Sequence, residues 1–289
     1  MRDKVSVIRK IQELLPNLDR TIVVDIGANP TQRPPYRDLM QADQATVIGF
    51  EPDPRAYAEL DPASDPNVHY VNAAVGDGKK ATLHVCAMSY MTSLLCPDPA
   101  SMAVFPKMAK EMEVIEKTSL QTKKLDSISE IKRVDLLKID VQGSELTIFQ
   151  NGRKKLADAV CIQTEVAFFP IYLNQPTFGD IDSELRSQGF LPHDLPVIHR
   201  NPVAPYRARR RYATQLLDGD FIYLRDFRTM DDFSDQQLCQ MAVIGLGFLQ
   251  SADVTVRALN ILATRGQLTS DALVTFVRGL NIENGRFEL

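Results

Sequence analysis

The chain has 289 residues, a formal net charge of -4 and 24% charged residues, a composition typical of a folded globular protein. This charge gives no general attraction to nucleic acid or to an anionic membrane surface, so we expect neither as a partner. The length exceeds one average domain and falls short of two large ones, which predicts one α/β core with an appended piece.

A helix and a strand open the chain. Residues 3–15 place apolar side chains on one helical stripe that ends at Pro16, which predicts an amphipathic helix covering one end of the sheet. Residues 21–25 form a β-branched apolar run that stops at a carboxylate, and residues 26–29 are turn-prone. This pattern predicts a buried strand that leads into a ligand-binding loop.

A second strand, at residues 46–50, ends in Glu51. Two adjacent parallel strands would place Asp25 and Glu51 at the C-terminal edge of the sheet, where open α/β folds bind ligands. Glu51 can accept hydrogen bonds from both ribose hydroxyls of a nucleoside, and Gly27 lets the backbone come close. A dinucleotide site needs three glycines for its pyrophosphate, whereas residues 27–33 contain one, so an NAD(P) site is disfavoured.

The middle of the chain predicts two more strands and a covering segment. Residues 68–72 and 82–86 have strand patterns. Residues 97–118 are rich in Met, Lys and Glu and follow a helical rhythm from Met102 to Ile115. We predict that this segment is a helical insertion covering the substrate pocket.

Two further strands end in carboxylates. Residues 136–139 precede Asp140, and residues 159–165 end at Glu165. Asp140 is expected to share the crevice with Asp25 and Glu51, where like charges repel one another unless a cation lies between them. Residues 144–156 predict a helix, with Glu145 in its first turn as a capping residue.

Seven short motifs occur in one order across residues 19–226, and together they resemble the FkbM type of S-adenosylmethionine-dependent methyltransferases. The motifs are VDIGAN at 24–29, FEP at 50–52, NAAVGD at 72–77, TSL at 92–94, LD at 125–126, LKIDVQGSE at 137–145 and QTE at 163–165. The family carries Glu or Gln at position 142. It usually has a small residue where Pro30 stands, so the cofactor loop departs from the pattern there.

The resemblance implies an α/β fold, the Rossmann-like class I methyltransferase sandwich with a mostly parallel seven-stranded sheet, and S-adenosylmethionine as cofactor. The cofactor-binding residues that it implies are Asp25, Gly27, Asn29, Glu51, Pro52, Asn72, Ala73, Ser93, Asp140 and Gln142. It also places Glu165 facing the methyl acceptor, beside an aromatic loop at 168–176 that suits a sugar ring.

Methyl transfer to a hydroxyl requires that the hydroxyl be deprotonated, either by a base or by a divalent metal ion. We expect the catalytic residues to be Asp140, Glu165 and His193. The alternative is a Mg²⁺ or Mn²⁺ site formed by Asp140, Glu165 and Asp220, since carboxylates are the ligands these ions prefer. The predicted acceptor is a saccharide or a nucleotide-linked sugar.

Five arginines fall within twelve residues of a proline-bearing loop, and they have two interpretations. They are Arg200, Arg207, Arg209, Arg210 and Arg211. One interpretation is a solvated loop, and the other is a binding surface for an acceptor that carries phosphate or carboxylate.

Beyond residue 226 the pattern changes to three short amphipathic helices, opened by a capping box at Ser234. We predict a methyltransferase domain at 1–228 and a helical extension at 229–289. Because so small a bundle buries little by itself, it is expected to pack on the core as a lid or to form a homodimer contact, with the dimer favoured.

The location and the remaining alternatives follow from what the sequence lacks. Its four cysteines form no C-x-x-C pair and it has no apolar signal region, which predicts a cytoplasmic protein. Two alternatives stay open: an NAD(P)-dependent enzyme of related fold, and a catalytically inactive S-adenosylmethionine-binding or scaffold protein.

Overall fold

The computed structural model describes residues 3–30, 33–60, 65–206 and 212–280. These residues form two compact units, each built from separate stretches of chain. The sheet unit comprises the described residues within Val23–Gln32 and Val47–Arg225, and the helical unit those within Met1–Ile22, Arg33–Thr46 and Asp226–Leu289. The predicted domains 1–228 and 229–289 remain a prediction.

A seven-stranded, mostly parallel sheet forms the core and confirms the predicted fold class. Its strand order is β3-β2-β1-β6-β7-β9-β8. The strands are β1 (Thr21–Ile26), β2 (Ala45–Phe50), β3 (Val68–Val71), β6 (Leu136–Ile139), β7 (Cys161–Ala167), β8 (Phe190–Asn201) and β9 (Gln215–Arg225), and a separate hairpin contains β4 (Lys80–Cys86) and β5 (Val114–Gln121). Strand β9 runs antiparallel to both β7 and β8, whereas β1 with β6 and β6 with β7 are parallel.

The central strands are short apolar runs, as expected of parallel strands that are covered on both faces. Val23 and Val24 in β1 and Leu136 and Leu137 in β6 are each 0% exposed. Lys138 is the single charged residue within β6 and pairs in register with Asp25. Because β1, β6 and β7 are parallel, their carboxyl ends meet at one edge of the sheet.

Helices flank the strands. The sheet unit contains α3 (Pro54–Glu59), α4 (Pro99–Val104), α5 (Pro106–Glu111), α6 (Glu145–Gln150) and α7 (Phe178–Ser187), and the helical unit contains α1 (Lys4–Leu14), α2 (Arg37–Gln41), α8 (Asp235–Ile244), a π-helix (Gly245–Leu249), α9 (Ala252–Thr264) and α10 (Ser270–Gly279). Within the described ranges, none of the helices combines the length and apolar character that a bilayer crossing requires.

The prediction of one helical segment over 97–118 is wrong in its second half. Helices α4 and α5 are separated at Pro106, which has no backbone N–H to continue a helix. Strand β5 then pairs antiparallel with β4, as its β-branched residues favour. Ile115, which the helical spacing placed on the buried stripe, is 57% exposed on this strand.

Helix α6 is also shorter than the predicted 144–156. It ends at Gln150, where the side chain of Asn151 donates to the carbonyl of Thr147 and Gly152 follows with its low helix propensity. The chain from 151 onwards is turn instead of helix.

The helical unit joins the N-terminal helix to the C-terminal ones. The capping box at Ser234 and Gln237 is present, as predicted. A Cβ on Gly247 of the π-helix would lie 2.7 Å from Ile8 Cγ1, so the missing side chain lets the π-helix contact α1. Gln240 is 0% exposed and accepts a hydrogen bond of 2.6 Å from the hydroxyl of Thr21.

Candidate functional site

The loop after β1 makes the close backbone approach that the sequence predicts. Gly27 has φ +83°, and a Cβ at this position would lie 1.9 Å from the carbonyl oxygen of Asp140. Its N–H donates to the carbonyl of Phe50 at 2.9 Å. Gly27 therefore brings the loops that follow β1 and β6 into contact.

Lys138 neutralises the acidic residues beside this loop. Its Nζ lies 3.0 Å from the carbonyl oxygen of Gly27 and 3.3 Å from Oδ1 of Asp25. Burial alone would lower the pKa of Lys138, but the charges of Asp25, Asp140 and Asp220 outweigh burial and raise it. In the sequence Lys138 is a single charged residue that interrupts a buried apolar strand, and only its register with Asp25 identifies its role.

Glu51 lies buried at the end of β2 and is 5% exposed. Its Oε1 accepts the N–H of Asp53 at 2.8 Å, and its carbonyl accepts from the side chain of Asn72 at 2.8 Å. Burial raises the pKa of Glu51 to about 7, against the opposing effect of the Asp53 hydrogen bond. The residues that the structure describes give its carboxylate no further hydrogen bond, so Oε2 is open to a ribose hydroxyl.

Other predicted cofactor residues lie around this carboxylate and the Gly27 loop. Pro52 is half-buried between Glu51 and the first turn of α3, and the N–H of Ala73 donates to the carbonyl of Val71. The side chain of Asn29 lies 3.4 Å from the Ser89 hydroxyl. The predicted set is thus distributed along one edge of the sheet.

Asp140 and Glu165 form a pair of carboxylates joined by one amide. Nε2 of Gln142 lies 2.7 Å from Oδ1 of Asp140 and 2.8 Å from Oε2 of Glu165. Burial, followed by the charge of Asp140, raises the pKa of Glu165 well above its ordinary value. Two of the three predicted catalytic residues, Asp140 and Glu165, are therefore brought together.

Glu145 has the structural role that the sequence analysis favoured. It begins α6, and its Oε1 accepts the N–H groups of Val141 at 3.0 Å and Gly143 at 3.2 Å. Burial raises its pKa to about 7. The carboxylate therefore fixes the turn between β6 and α6.

The predicted metal ligands are not brought together as the predicted set. The acidic group of described residues whose ligand atoms all lie within 4.8 Å contains Asp140, Glu145 and Glu165. Asp220 pairs with Glu165 across the strands but accepts its hydrogen bond from Gln163 at 3.2 Å. Because backbone N–H groups occupy Glu145 and the Gln142 amide bridges the other two carboxylates, this donor set does not fit a Mg²⁺ or Mn²⁺ ion.

His193 lies on β8, which β9 separates from β7 in the sheet. His193 falls at an irregularity of β8 between the paired residues Pro192 and Asp194, and its side chain is half-buried. Arg200 donates to the carbonyl of Thr214 at 2.9 Å. Residues 207–211, which hold the other four arginines, lie outside the described residues.

Ser93, a predicted cofactor contact, is 2% exposed and connects two loops. Its hydroxyl donates to the carbonyl of Gln142 at 2.7 Å and accepts the N–H of Leu95 at 2.9 Å. The hydroxyl of Ser93 therefore connects the segment that follows β4 to the turn that follows β6.

Ser93→Ala is expected to lower the free energy of unfolding by about 1–3 kcal/mol, because both polar partners are left unsatisfied. Affinity for S-adenosylhomocysteine should change by less than about threefold, a difference of under 1 kcal/mol. Urea unfolding and calorimetric titration measure the two effects, with the exposed Ser129→Ala as control. A large loss of affinity at unchanged stability would instead assign Ser93 to the cofactor.

The predicted lid packs on the predicted aromatic loop. Phe105 and Met108, from the segment of α4 and α5, form a buried cluster with Ile171, Tyr172 and Leu217. The rings of Phe105 and Phe169 meet edge to face, with centroids 5.3 Å apart. The Met and Phe side chains thus serve packing, as their spacing indicated.

Comparison with protein families matches residues 25–192 to the methyltransferase FkbM domain. The chain belongs to the FkbM family of S-adenosylmethionine-dependent methyltransferases. The matched region of this FkbM protein includes every predicted cofactor residue and both members of the carboxylate pair, and it ends before His193 and Asp220. Comparison with curated proteins gives no match.

Two solved structures similar to this FkbM protein are methyltransferases of low sequence identity. Precorrin-6y C5,15-methyltransferase from Geobacter metallireducens GS-15 is 11% identical, with a TM-score of 0.38 over 76% of this chain and 87% of that chain. Magnesium protoporphyrin IX methyltransferase (ChlM) from Synechocystis PCC 6803, with bound SAM, is 12% identical, with a TM-score of 0.37 over 77% and 79%. Similarity at this level identifies no substrate.

Proposed function

We propose that the protein transfers the methyl group of S-adenosylmethionine to a hydroxyl oxygen of a saccharide or nucleotide-linked sugar. The observation that supports this proposal is that the carboxylates at one edge of the sheet form two separate groups, Glu51 alone and Asp140 with Glu165. A buried Glu51 with one open oxygen suits a ribose, and the Asp140–Glu165 pair suits an acceptor hydroxyl. Gly27 removes the side chain that would otherwise obstruct the loop between them.

The residues present fit the cofactor. Glu51 Oε2 would accept from the ribose hydroxyls, and the loop at Gly27 would lie against the cofactor's main body. The bound cofactor supplies a methyl group on a positively charged sulfur, which is already an activated electrophile. The protein then has to hold the acceptor oxygen in line and remove its proton, and positioning of this kind contributes roughly 7–11 kcal/mol.

Glu165 is the base that the geometry favours. Its pKa is raised by burial and by Asp140, which makes its carboxylate a better proton acceptor. Glu165 would accept the hydroxyl proton when the acceptor oxygen takes the methyl group. The negative charge of Asp140 favours the protonated form of Glu165, and the amide of Gln142 holds the two groups together.

Calorimetric titration tests the proposal first. Micromolar binding of S-adenosylhomocysteine, with no binding of NAD, is the expected result. Transfer of labelled methyl from S-adenosylmethionine is then assayed against nucleotide sugars and oligosaccharides, and we expect the label in an ether that resists mild base. Preferential NAD binding would overturn the cofactor assignment, and label on nitrogen or carbon would overturn O-methyl transfer.

A further inference from the structure

The backbone of Gln142 is held in an unusual conformation. Its φ is +57°, in the left-handed region that costs a residue other than glycine free energy. The hydroxyl of Ser93, itself 2% exposed, fixes the carbonyl of Gln142 at 2.7 Å. The backbone conformation of Gln142 is therefore held by Ser93, a residue outside its own turn.

The side-chain amide of Gln142 has three polar neighbours, which together determine its orientation. Nε2 lies 2.7 Å from Asp140 Oδ1 and 2.8 Å from Glu165 Oε2, and Oε1 lies 3.2 Å from the hydroxyl of Tyr172. The ionised carboxylate of Asp140 can only accept, so the NH₂ group faces the carboxylates. The single O–H of Tyr172 is shared between Oε1 of Gln142 and the carbonyl of Met91. The opposite orientation would place the amide oxygen against both of them.

Tyr172 links this amide to the segment that covers the site. Tyr172 is 1% exposed, and burial raises its pKa well above the ordinary value, so its hydroxyl keeps its proton. The same hydroxyl lies 2.9 Å from the carbonyl of Met91, and the ring packs in the cluster that contains Phe105 and Met108. The packing of Phe105 and Met108 therefore helps to position the Gln142 amide through Tyr172.

We propose that Gln142 is the positioning residue of the Asp140–Glu165 pair, and that its amide occupies the place between them that a divalent cation takes in other carboxylate sites. An amide supplies two N–H donors and no charge, whereas a cation would need oxygen ligands in the same space. This role differs from the cofactor contact predicted from the sequence. The inference rests on the proposed function in one respect, the assignment of a methyl-acceptor hydroxyl to the carboxylate pair.

The test compares Mn²⁺ binding to the unchanged protein and to Gln142→Glu, measured by electron paramagnetic resonance and calorimetry. The substitution replaces the bridging donor with a third carboxylate, so Mn²⁺ affinity should rise at least about tenfold, because ligand charge tunes the affinity of such sites over decades. Adding Glu165→Gln should remove the gain. Gln142→Gly suits the left-handed backbone and should give a smaller gain, which keeps the test valid if Gln142→Glu misfolds.

Gln250→Glu is the matched control, since Gln250 also has a left-handed backbone, φ +62°, and is exposed. Its Mn²⁺ affinity should equal that of the unchanged protein. Mn²⁺ binding by the unchanged protein as tight as that of Gln142→Glu would overturn the inference, as would a gain that survives Glu165→Gln.

S-adenosylhomocysteine titration of the same proteins separates this inference from the proposed function. Affinity should stay within about threefold of the unchanged protein in Gln142→Gly, a difference below 1 kcal/mol. A loss of more than about tenfold there, without any gain in Mn²⁺ binding, would show that Gln142 contacts the cofactor instead. If no protein of the series binds S-adenosylhomocysteine, the proposed function fails while the Mn²⁺ comparison still decides the role of Gln142.

Discussion

Gly27→Ala is expected to abolish binding of S-adenosylhomocysteine and to destabilise the sheet unit. The new Cβ would lie 1.9 Å from the carbonyl oxygen of Asp140, which is backbone and cannot rotate away. Relief requires the loops after β1 and β6 to separate, and this would break the hydrogen bond of 3.0 Å from the Asp140 N–H to the carbonyl of Ile26. Both the fold and the cofactor site depend on that contact.

Two other glycines separate the clash from ordinary glycine effects. Gly266 has φ +75° and open space around its Cβ position, so Gly266→Ala measures the cost of the left-handed backbone alone, about 1–2 kcal/mol. Gly179 lies in α7 with open space and no positive φ, and alanine there should be neutral or stabilising. Thermal unfolding and calorimetry compare the three variants; retained affinity in Gly27→Ala would contradict the proposed approach of cofactor and loop.

Glu51→Ala is expected to weaken S-adenosylhomocysteine binding at least about 100-fold. Hydrogen bonds to a charged group contribute about 1.5–3 kcal/mol each, and the ribose offers two donors. Glu51→Gln keeps the volume and should lose nearly as much, because an amide accepts through one oxygen only. Titration calorimetry measures the affinities, with the exposed Glu59→Gln in α3 as control; an affinity within threefold for Glu51→Ala would remove Glu51 from the site.

The same carboxylate makes binding depend on pH. Burial raises the pKa of Glu51 to about 7. The affinity for S-adenosylhomocysteine should therefore rise as pH increases through about 7, because the Glu51 carboxylate, which accepts the hydrogen bonds of the ribose, becomes ionised. For the free protein the sign is opposite: the contribution of Glu51 to stability is full below its unfolded pKa of 4.5 and is lost as pH rises towards 7. Burial also raises the pKa of Glu145 to about 7. Loss of the pH dependence of affinity in Glu51→Gln would assign that dependence to Glu51 and not to Glu145.

The sequence predicted the sheet and the carboxylates along its edge. Apolar β-branched runs that stop at Asp25, Glu51 and Asp140 specify both the strand and the end that carries the ligand loop, because such runs are buried on both faces in a parallel sheet. The structure places each of these strand ends within one residue or two of its predicted position. The family resemblance is confirmed by the match over residues 25–192.

Local patterns did not predict features that depend on tertiary geometry. The spacing in 97–118 fits a helix, yet Pro106 and the pairing of β5 with β4 divide that segment. The amide of Gln142 lies between two carboxylates because of its left-handed backbone and its contacts with Ser93, Glu165 and Tyr172, which are distant in sequence. Lys138 acquires its role from the strand beside it.

The helical unit can finish folding only after its C-terminal helices have been synthesised. Helix α1 is synthesised well before α8, the π-helix and α10, all of which it contacts, and Thr21 has its buried hydrogen-bond partner 219 residues away at Gln240. While the sheet segments leave the ribosome, the apolar stripe of α1 therefore has α2 as a native partner but lacks these later helices, and contacts of such long sequence separation form slowly. Nascent chains halted before residue 235 should thus expose Ile8 and Ile11, side chains that are 0% exposed in the finished protein, to chaperones.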